Sequence, residues 1–294
     1  MVPRDYLGED FGQEIRNPNG KDMSMAAALN AIVTHRIEVA SGLIILRVAP
    51  DGWELPAWDP GQFAVLGLPE SAPRTLLSDP DPERQSPDKL IRRAYSIASS
   101  PRDTGDLEFY ITLVQSGALT PRLFALKPGD RVFLGTKISG MFTLDEVPAA
   151  SNLILVGTGT GLAPYMSMLR SGLDCRPDRH TVVLLGARHS WDLGYRGELI
   201  AMQRYCPTFH YIPIISRPGE ELVPWAGQTG YVQDLWDRGL VADAMGRVPT
   251  PGDTHVLLCG NPGMIEGMIE RLGTEGFVEA TRTEPGQIHA EKYW

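Results

Sequence analysis

Residues 153–164 have the sequence Leu-Ile-Leu-Val-Gly-Thr-Gly-Thr-Gly-Leu-Ala-Pro, an apolar run followed by three glycines that alternate with threonine. The run predicts a buried strand, and Ala163-Pro164 predicts the start of a helix. Glycines at such a turn let the backbone approach a diphosphate closely, and the helix N-terminus provides N–H donors. Leu162 and Ala163 stand where the usual dinucleotide fingerprint has another glycine, so a tight turn without a ligand stays the alternative.

Outward from this turn, the second half of the chain alternates apolar strands with helices. This alternation predicts a parallel, doubly wound, Rossmann-like sheet, because strands buried on both faces have continuous apolar runs. The pattern begins after Val147-Pro148, so we expect a domain boundary near residue 148 and an α/β domain at 149–294. The predicted strand and helix pairs are Leu153–Val156 with Ala163–Arg170, Thr181–Leu185 with Trp191–Arg204, Tyr211–Ile215 with Val232–Arg238, and His255–Cys259 with Gly263–Leu272.

The first half contains short β-like runs separated by turn residues, which predicts an antiparallel barrel or sandwich at 31–148. One helix is expected at Leu123–Leu126, with Thr120 as its N-cap. Polar and helix-breaking residues predict an N-terminal arm at 1–30 and a long loop at 69–88. The predicted strands are Ala31–Val39, Leu43–Val48, Gln62–Leu66, Ala94–Ala98, Leu107–Val114 and Arg131–Leu134.

The composition excludes several classes of protein. The chain has 294 residues, a formal net charge of −9 and 43% apolar residues, which disfavours a nucleic-acid or acidic-membrane binder. No apolar run approaches the roughly 18 residues of a membrane span. Cys175, Cys206 and Cys259 are far apart in the sequence and predict neither a disulfide framework nor a metal site, and the six histidines show no ligand spacing. Because no signal peptide is recognisable, we expect the reducing cytoplasm.

Two strand ends of the second domain carry arginine. The second predicted strand leads into Arg188 and the third into Ser216-Arg217. In dinucleotide-binding folds an acidic residue at this edge selects NAD, whereas arginine accepts the extra phosphate of NADP. Two cations without a carboxylate therefore favour NADP, and a pair of ordinary surface arginines is the alternative.

The first domain contains the segment Arg93-Ala94-Tyr95-Ser96. Side chains alternate along a strand, so Arg93 and Tyr95 share one face while Ser96 points to the other or turns inward at a bend. A cation and an aromatic ring on one face suit a phosphate and a flat heterocycle. A cross-strand aromatic pair beside a surface arginine would explain the same residues.

Together with the glycine turn and the later Cys259-Gly260-Asn261-Pro262, this segment resembles the ferredoxin–NADP⁺ reductase superfamily, and most closely its bacterial ferredoxin/flavodoxin–NADP⁺ reductases. The resemblance runs from about Ala31 to the last residue and implies an antiparallel FAD-binding barrel followed by an NADP-binding parallel-sheet domain. The other segments that carry it are Gly117–Leu123, Leu126–Asp130 and Ala290–Trp294.

The resemblance implies roles for the barrel residues toward FAD. Arg93 would bind the pyrophosphate, Tyr95 would stack on the isoalloxazine, and Ser96 would hydrogen-bond near flavin N5, where hydride arrives. The remaining barrel residues that the resemblance assigns to cofactor binding are Ala94, Tyr110, Ile111, Thr112, Ala118, Leu119 and Thr120.

On the NADP side, the resemblance places Arg188, Ser216 and Arg217 at the 2′-phosphate, in agreement with the strand-end argument. Tyr231 would stack on adenine, although many bacterial members have arginine at that position. Thr158 would lie at the junction of both cofactors. The other residues assigned to cofactor binding in this half are Gly159, Thr160, Gly260 and Asn261.

The resemblance also implies catalytic residues besides Ser96. Cys259 would lie beside the nicotinamide, with a buried strand cysteine as the alternative. Glu291 would tune the flavin or relay a proton, with a solvated surface carboxylate as the alternative. The chain ends in Tyr293-Trp294, which would cover the isoalloxazine and the adenine.

The expected function is hydride transfer between NADP(H) and flavin N5, coupled to single-electron transfer between flavin and ferredoxin or flavodoxin. Two alternatives stay open, a reductase of an oxygenase system and a flavin-free nucleotide-sensing module. Residues 84–137 hold nine basic and five acidic side chains. A basic rim that steers an acidic carrier is therefore expected, with candidates Lys89, Arg92, Arg122, Lys127 and Lys137.

Overall fold

The computed structural model describes residues 29–80, 89–103 and 105–292. They form two six-stranded sheets, an antiparallel one followed in sequence by a parallel one. Residues 1–28 of the arm expected at 1–30 lie outside the described residues, and so do residues 81–88 of the loop expected at 69–88. The boundary near residue 148 stays a prediction, and it falls between the last strand of the first sheet and the first strand of the second.

The first sheet is antiparallel and has the strand order β4-β3-β6-β1-β2-β5. A bridge between Ile97 and Phe109 joins the chain after β4 to β5, which closes the sheet into a barrel. Alternate apolar side chains fill the interior, among them the fully buried Leu46, Leu66 and Phe109. The strands are β1 Ala31–Ala40, β2 Leu43–Pro50, β3 Phe63–Pro69, β4 Leu90–Ser96, β5 Leu107–Thr112 and β6 Arg131–Leu134.

The second sheet is parallel and has the order β10-β9-β8-β7-β11-β12. From β7 the chain adds strands first on one side and then on the other, so the strand order reverses between β7 and β11. In open α/β sheets this reversal leaves a crevice at the carboxyl ends of the strands. The strands are β7 Asn152–Thr158, β8 Thr181–Ala187, β9 Phe209–Ile215, β10 Gln228–Thr229, β11 Thr254–Cys259 and β12 Ile288–Glu291.

In the described residues α1 lies between β5 and β6 and packs on the barrel core, whereas the other helices lie between the parallel strands and cover both faces of the parallel sheet. Helix α2 starts directly after the glycine turn, and its Tyr165 is fully buried beneath β7. The hydroxyl of Tyr165 lies 2.9 Å from Val156 O and 2.8 Å from Leu257 O, which fixes α2 against β7 and β11. The helices are α1 Thr120–Ala125, α2 Ala163–Gly172, α3 Arg196–Tyr205, α4 Val232–Asp237, α5 Leu240–Met245 and α6 Pro262–Gly273.

One apolar cluster is shared by the two sheets. Leu43, Ile45 and Tyr110 of the barrel pack with side chains of the parallel sheet and α2, including Leu155 and Tyr165. Burial of apolar surface on both sides holds the sheets in a fixed relative position.

The fold class is confirmed, and several local predictions are wrong. Thr120 is not an N-cap, because its hydroxyl pairs with the backbone N–H and C=O of Val114 at 3.0 and 3.2 Å. The helix predicted at Trp191–Arg204 begins only at Arg196, because Tyr195 has a positive φ that interrupts it. The expected strand at Ala94–Ala98 instead occupies Leu90–Ser96, and the sequence analysis missed α5, β10 and β12.

The prediction of no disulfide is also wrong. Cys175 and Cys206, 31 residues apart, form one between the segments that follow α2 and α3. Both helices run from the carboxyl edge of the sheet back to its opposite edge, so the fold brings these distant residues together. Within the described ranges, no helix has both the length and the apolar character that crossing a membrane requires.

Candidate functional site

A cleft of about 980 Å³ lies between the barrel and the carboxyl ends of the parallel strands. It occupies the crevice that the reversal of strand order creates beside β7. Its volume is at the upper end of the range for ligand sites, about 300–1,000 Å³. The predicted site residues that line it are Arg93, Ala94, Tyr95, Ser96, Tyr110, Ile111, Thr112, Ala118, Leu119, Thr120, Thr158, Gly159, Thr160, Arg188, Ser216, Tyr231, Gly260 and Asn261.

The glycine turn forms the floor of the cleft on the α/β side. A Cβ on Gly161 would overlap the carbonyl oxygen of Cys259 and lie 2.9 Å from the Cα of Gly260. The backbone N–H of Asn261 donates to the Thr158 hydroxyl at 2.8 Å, which ties the loop after β11 to the end of β7. The floor is therefore backbone without projecting side chains, as close approach of a diphosphate requires.

One corner of the cleft is formed by the ends of β8 and β9. The backbone N–H of Arg217 donates to Arg188 O at 2.9 Å, so the two arginines lie side by side. Arg188 and Ser216 line the cleft, whereas Arg217 is outside the lining and its guanidinium lies 3.6 Å from Glu220. The expectation that this corner lacks a carboxylate is therefore wrong, because the loop after β9 folds Glu220 back onto it.

His189 lies in the same corner between two carboxylates. Its Nε2 is 2.8 Å from Glu220 Oε2, and its Nδ1 is 3.1 Å from Asp192 Oδ2. Burial by itself would lower the pKa of His189, but the hydrogen bonds to Glu220 and Asp192 outweigh it and raise that pKa above its ordinary value. The corner thus combines arginine, histidine and carboxylate charges.

The barrel wall of the cleft is formed by β4. Arg93 is exposed, Tyr95 is half-buried and Ser96 is buried, as alternation followed by an inward bend requires. Burial raises the pKa of the Tyr95 hydroxyl, and the charge of Arg93 opposes that shift. This wall therefore places a cation, an aromatic ring and a hydroxyl next to one another.

Two other barrel residues differ from their expected roles in detail. Ile111 is buried within the barrel core, so its contribution to the cleft wall is mainly backbone. The Thr120 hydroxyl, expected to face a phosphate, is already paired with Val114. Their roles toward a cofactor stay predictions.

The structure does not bring every predicted residue to the cleft. Cys259 is fully buried and Glu291 is half-buried, and neither lines the cleft among the described residues. They are register partners at the ends of β11 and β12, so they lie next to each other. Tyr293 and Trp294 lie outside the described residues.

Several residues that line the cleft were not predicted from the sequence. Ser41 lies in the turn between β1 and β2 and Leu43 begins β2, and they reach the cleft because Leu43 pairs with Thr112 on β5. Asp192 ends the short 3₁₀ turn Ser190–Asp192, and Gln233 lies in the first turn of α4, two residues after Tyr231. Strand register would have identified the first two, the neighbouring Tyr231 marks Gln233, and no sequence signal marks Asp192.

Comparison with known proteins agrees with this geometry. The family model for an oxidoreductase FAD-binding domain matches residues 83–139, and that for an oxidoreductase NAD-binding domain matches residues 155–270. A flavodoxin/ferredoxin–NADP reductase of Shigella flexneri is 36% identical over 237 residues, which cover 80% of this chain and 87% of that protein.

Solved structures share the fold. A ferredoxin NADP⁺ reductase from Neisseria gonorrhoeae with bound FAD and NADP is 21% identical, with a TM-score of 0.74, and the match covers 90% of this chain and 98% of that one. The cytochrome P450 reductase GcoB from Amycolatopsis is 26% identical, with a TM-score of 0.67 over 90% of this chain and 69% of that one. On the sequence identity and coverage of its relatives, the chain belongs to the flavodoxin/ferredoxin–NADP reductase family.

Proposed function

We propose that this chain is an FAD-dependent oxidoreductase that exchanges hydride with NADP(H) and single electrons with ferredoxin or flavodoxin. The observation that carries the proposal is the single cleft whose walls come from both sheets. One wall belongs to the segment that matches an FAD-binding model, and the other to the segment that matches an NAD-binding model. Two cofactors bound there would meet at the glycine turn.

The residues present fit FAD. The exposed Arg93 supplies a cation for the pyrophosphate, and Tyr95 supplies an aromatic ring for the isoalloxazine on the same wall. The segment Ala118–Thr120 lines the cleft at the start of α1, where backbone N–H groups suit a second phosphate contact. We propose that these residues hold FAD.

The residues also fit NADP(H). The glycine floor admits a pyrophosphate, and Arg188 with Ser216 offers a cation and a hydroxyl at the corner of the cleft. Tyr231 is exposed and lines the cleft, so its ring is available for an adenine. We propose that Arg217 joins this corner as the outer cation.

FAD, when bound, would supply the exchange between the electron pair of a hydride and the single electrons of a one-electron carrier. The chain itself would bind and orient the cofactors and exclude water from the cleft. Burial raises the pKa of the hydroxyls of Tyr95 and Tyr110, so both stay protonated at neutral pH and act as hydrogen-bond donors. Ser96 is proposed to hydrogen-bond at the hydride-accepting atom. Its hydroxyl lies at the buried end of β4, where little water competes.

Cys259 and Glu291 are kept as proposed residues of the nicotinamide side. Both end strands that lead toward the glycine turn, Cys259 directly beside Gly157 on β7. We expect Cys259→Ala and Glu291→Gln each to slow hydride transfer in stopped-flow experiments while NADP⁺ affinity stays within about twofold. Unchanged transfer rates in both variants would remove these two residues from the catalytic set.

Absorbance of the purified protein and its reduction by NADPH and by NADH test the cofactor assignment. Loss of a charge-assisted hydrogen bond costs about 1.5–3 kcal/mol, so Arg188→Ala should raise the KM for NADPH at least tenfold and leave that for NADH within about twofold. Arg217→Ala should have a smaller effect, since Glu220 already neutralises it. Arg204→Ala, an exposed arginine on α3, is the control. Equal effects on both nucleotides would contradict the NADP assignment.

We propose that an acidic carrier, ferredoxin or flavodoxin, docks on the exposed basic residues of the barrel. Lys89, Lys127 and Lys137 are exposed and Arg92 is half-buried. Arg122 was wrongly included in this rim. It is 2% exposed, and its guanidinium donates to Ala118 O at 2.6 Å and Glu70 O at 2.7 Å.

Charge reversal tests the docking surface. Arg92→Glu with Lys127→Glu should lower kcat/KM for ferredoxin at least tenfold at low salt and leave the reduction of an uncharged benzoquinone within about twofold, because an uncharged acceptor is not steered by the charges of this surface. Arg204→Glu with Arg282→Glu, two exposed arginines of the α/β domain, is the control with the same change of net charge. Equal ferredoxin kinetics in the double variant and the control would exclude this surface.

An oxygenase ferredoxin or a cytochrome P450 is a second class of acceptor, supported by the likeness to the Amycolatopsis P450 reductase. A panel of ferredoxins, flavodoxins and P450 components separates the acceptors by kcat/KM. The flavin-free sensing module would be supported by a colourless protein that binds no added FAD.

We further propose a cytoplasmic location, which the dependence on NADP(H) supports. The Cys175–Cys206 disulfide is an observation against it, because disulfides are rare in reducing compartments. Alkylation of the protein after the cells are rapidly quenched and the protein is denatured, so that the buried Cys259 also reacts, decides between the two. Three modified cysteines are expected in the cytoplasm, and one in an oxidising compartment.

A further inference from the structure

The segment Asp192–Tyr195 connects the nucleotide corner of the cleft to its barrel wall. It begins at Asp192, which hydrogen-bonds His189, and it ends where α3 starts. Tyr195 has a φ of 56°, the one positive φ at a non-glycine residue in the described ranges. A bulky side chain adopts this backbone conformation only where its surroundings enforce it.

Contacts from two other elements hold Tyr195 in this conformation. Its hydroxyl donates to Glu108 Oε1 at 2.7 Å, and Glu108 is a buried residue of β5. Arg170 of α2 donates to the same carboxylate oxygen at 2.7 Å, and its guanidinium carbon lies 5.0 Å from the centre of the Tyr195 ring. The barrel and the α/β domain thus hold this side chain jointly.

The residue before Tyr195, Gly194, contacts Tyr110 of β5, which lines the barrel side of the cleft together with Tyr95 of β4; this side is called the flavin wall below. The backbone N–H of Gly194 donates to the Tyr110 hydroxyl at 3.1 Å, and that hydroxyl donates in turn to Asp192 O at 3.4 Å. A Cβ on Gly194 would overlap the Tyr110 hydroxyl, so this approach needs glycine. The Tyr195 ring also packs edge-on against Tyr110 at 5.1 Å.

We propose that Tyr195 is a positioning residue. Held in a left-handed conformation by Glu108 and Arg170, it aims the Gly194 N–H at the Tyr110 hydroxyl and fixes the Tyr110 ring in the flavin wall of the cleft. The inference rests on the proposed function, and it adds a residue that itself lies outside the cleft lining.

This arrangement links the two cofactor sites. Asp192 lines the cleft and hydrogen-bonds His189, the neighbour of Arg188 in the chain. One residue, Leu193, therefore separates Asp192 in the cleft from Gly194, whose N–H holds the Tyr110 hydroxyl. A nucleotide that orders Asp192 also orders the carbonyl that accepts from Tyr110.

The first test uses protein freed of flavin, so its readout does not depend on activity. Tyr195→Phe should speed hydrogen exchange of the Gly194 amide at least tenfold, because the backbone conformation is no longer held by Glu108. Tyr205→Phe is the matched control, since Tyr205 is the last residue of α3, the helix that Tyr195 precedes, and is 86% exposed. Tyr110→Phe, which removes the acceptor, should speed the same exchange and serves if Tyr195→Phe does not fold.

The second test uses the flavin-loaded enzyme with ferricyanide as acceptor. Tyr195→Phe should lower kcat about fivefold with the KM for NADPH within twofold, and in a Tyr110→Phe background it should have no further effect. Unchanged Gly194 exchange in the folded Tyr195→Phe and Tyr110→Phe variants, or independent multiplying effects on kcat, would overturn the proposal. Failure to bind flavin would refute the proposed function instead, and the exchange result would still decide this inference.

Discussion

Gly161→Ala tests whether the floor of the cleft needs bare backbone. Gly161 follows β7 and packs against the end of the neighbouring strand β11. An added methyl group would lie 2.6 Å from the carbonyl carbon of Cys259 and 2.9 Å from the Cα of Gly260. Both atoms are backbone, so no side chain can rotate away. The glycine turn and the loop after β11 must therefore move apart.

The magnitude follows from overpacking. Inserting a methyl group into a well-packed site costs about 1–3 kcal/mol, and contacts with backbone alone place this substitution at the upper end. With an unfolding entropy of about 2.1 cal/mol/K per residue, a loss of about 3 kcal/mol corresponds to a fall in Tm of about 5 °C for a chain of 294 residues. A shift of about 1 Å between bound groups lowers the rate about 100-fold, and we expect kcat/KM for NADPH to fall by that order.

Thermal unfolding and NADPH-dependent ferricyanide reduction measure the two effects. Gly197→Ala is the control, because a Cβ there meets open space and alanine should stabilise α3 by about 0.5–1 kcal/mol. A Gly161→Ala protein with the Tm and the kcat/KM of the wild type would show that the floor is not closely packed.

Two further predictions concern stability. Cys175→Ser should lower the free energy of unfolding by about 3.7 kcal/mol, the loop-entropy value for a cross-link that spans 31 residues, and excess reductant should bring the wild type to the same value. His255 and His289 pair at 3.0 Å, and burial lowers the pKa of both below the unfolded value of 6.5. The Tm should therefore decrease as the pH is lowered below 6.5, because the protein then takes up protons when it unfolds. His289→Gln should flatten that fall, and a Tm profile unchanged from that of the exposed His35→Gln variant would contradict the reasoning.

The core architecture was predictable because it depends on periodic patterns. Strands β7, β8 and β11 are buried on both faces, so their apolar runs are continuous and their bounds were found to within two residues. The cleft walls were predicted because the residues that form them are contiguous in the sequence. The cation and aromatic ring of Arg93–Ser96 and the glycines of the turn each stand within one short segment.

Features made by long-range pairing were not predictable. Cys206 meets Cys175 because α2 and α3 end at the same edge of the sheet. Glu220 reaches His189 across 31 residues of the chain, and Arg122 is buried because two backbone carbonyls satisfy its guanidinium. Charge and spacing along the chain do not encode these neighbours.

The apolar cluster that Leu43, Ile45 and Tyr110 share with Leu155 and Tyr165 bears on how the protein can be divided. A fragment cut between the halves would expose these side chains to water, and Tyr110 would lose the contacts that hold it in place. Neither half is thus a self-contained module that could be exchanged with another reductase, and calorimetry of the intact chain should show one heat-absorption peak.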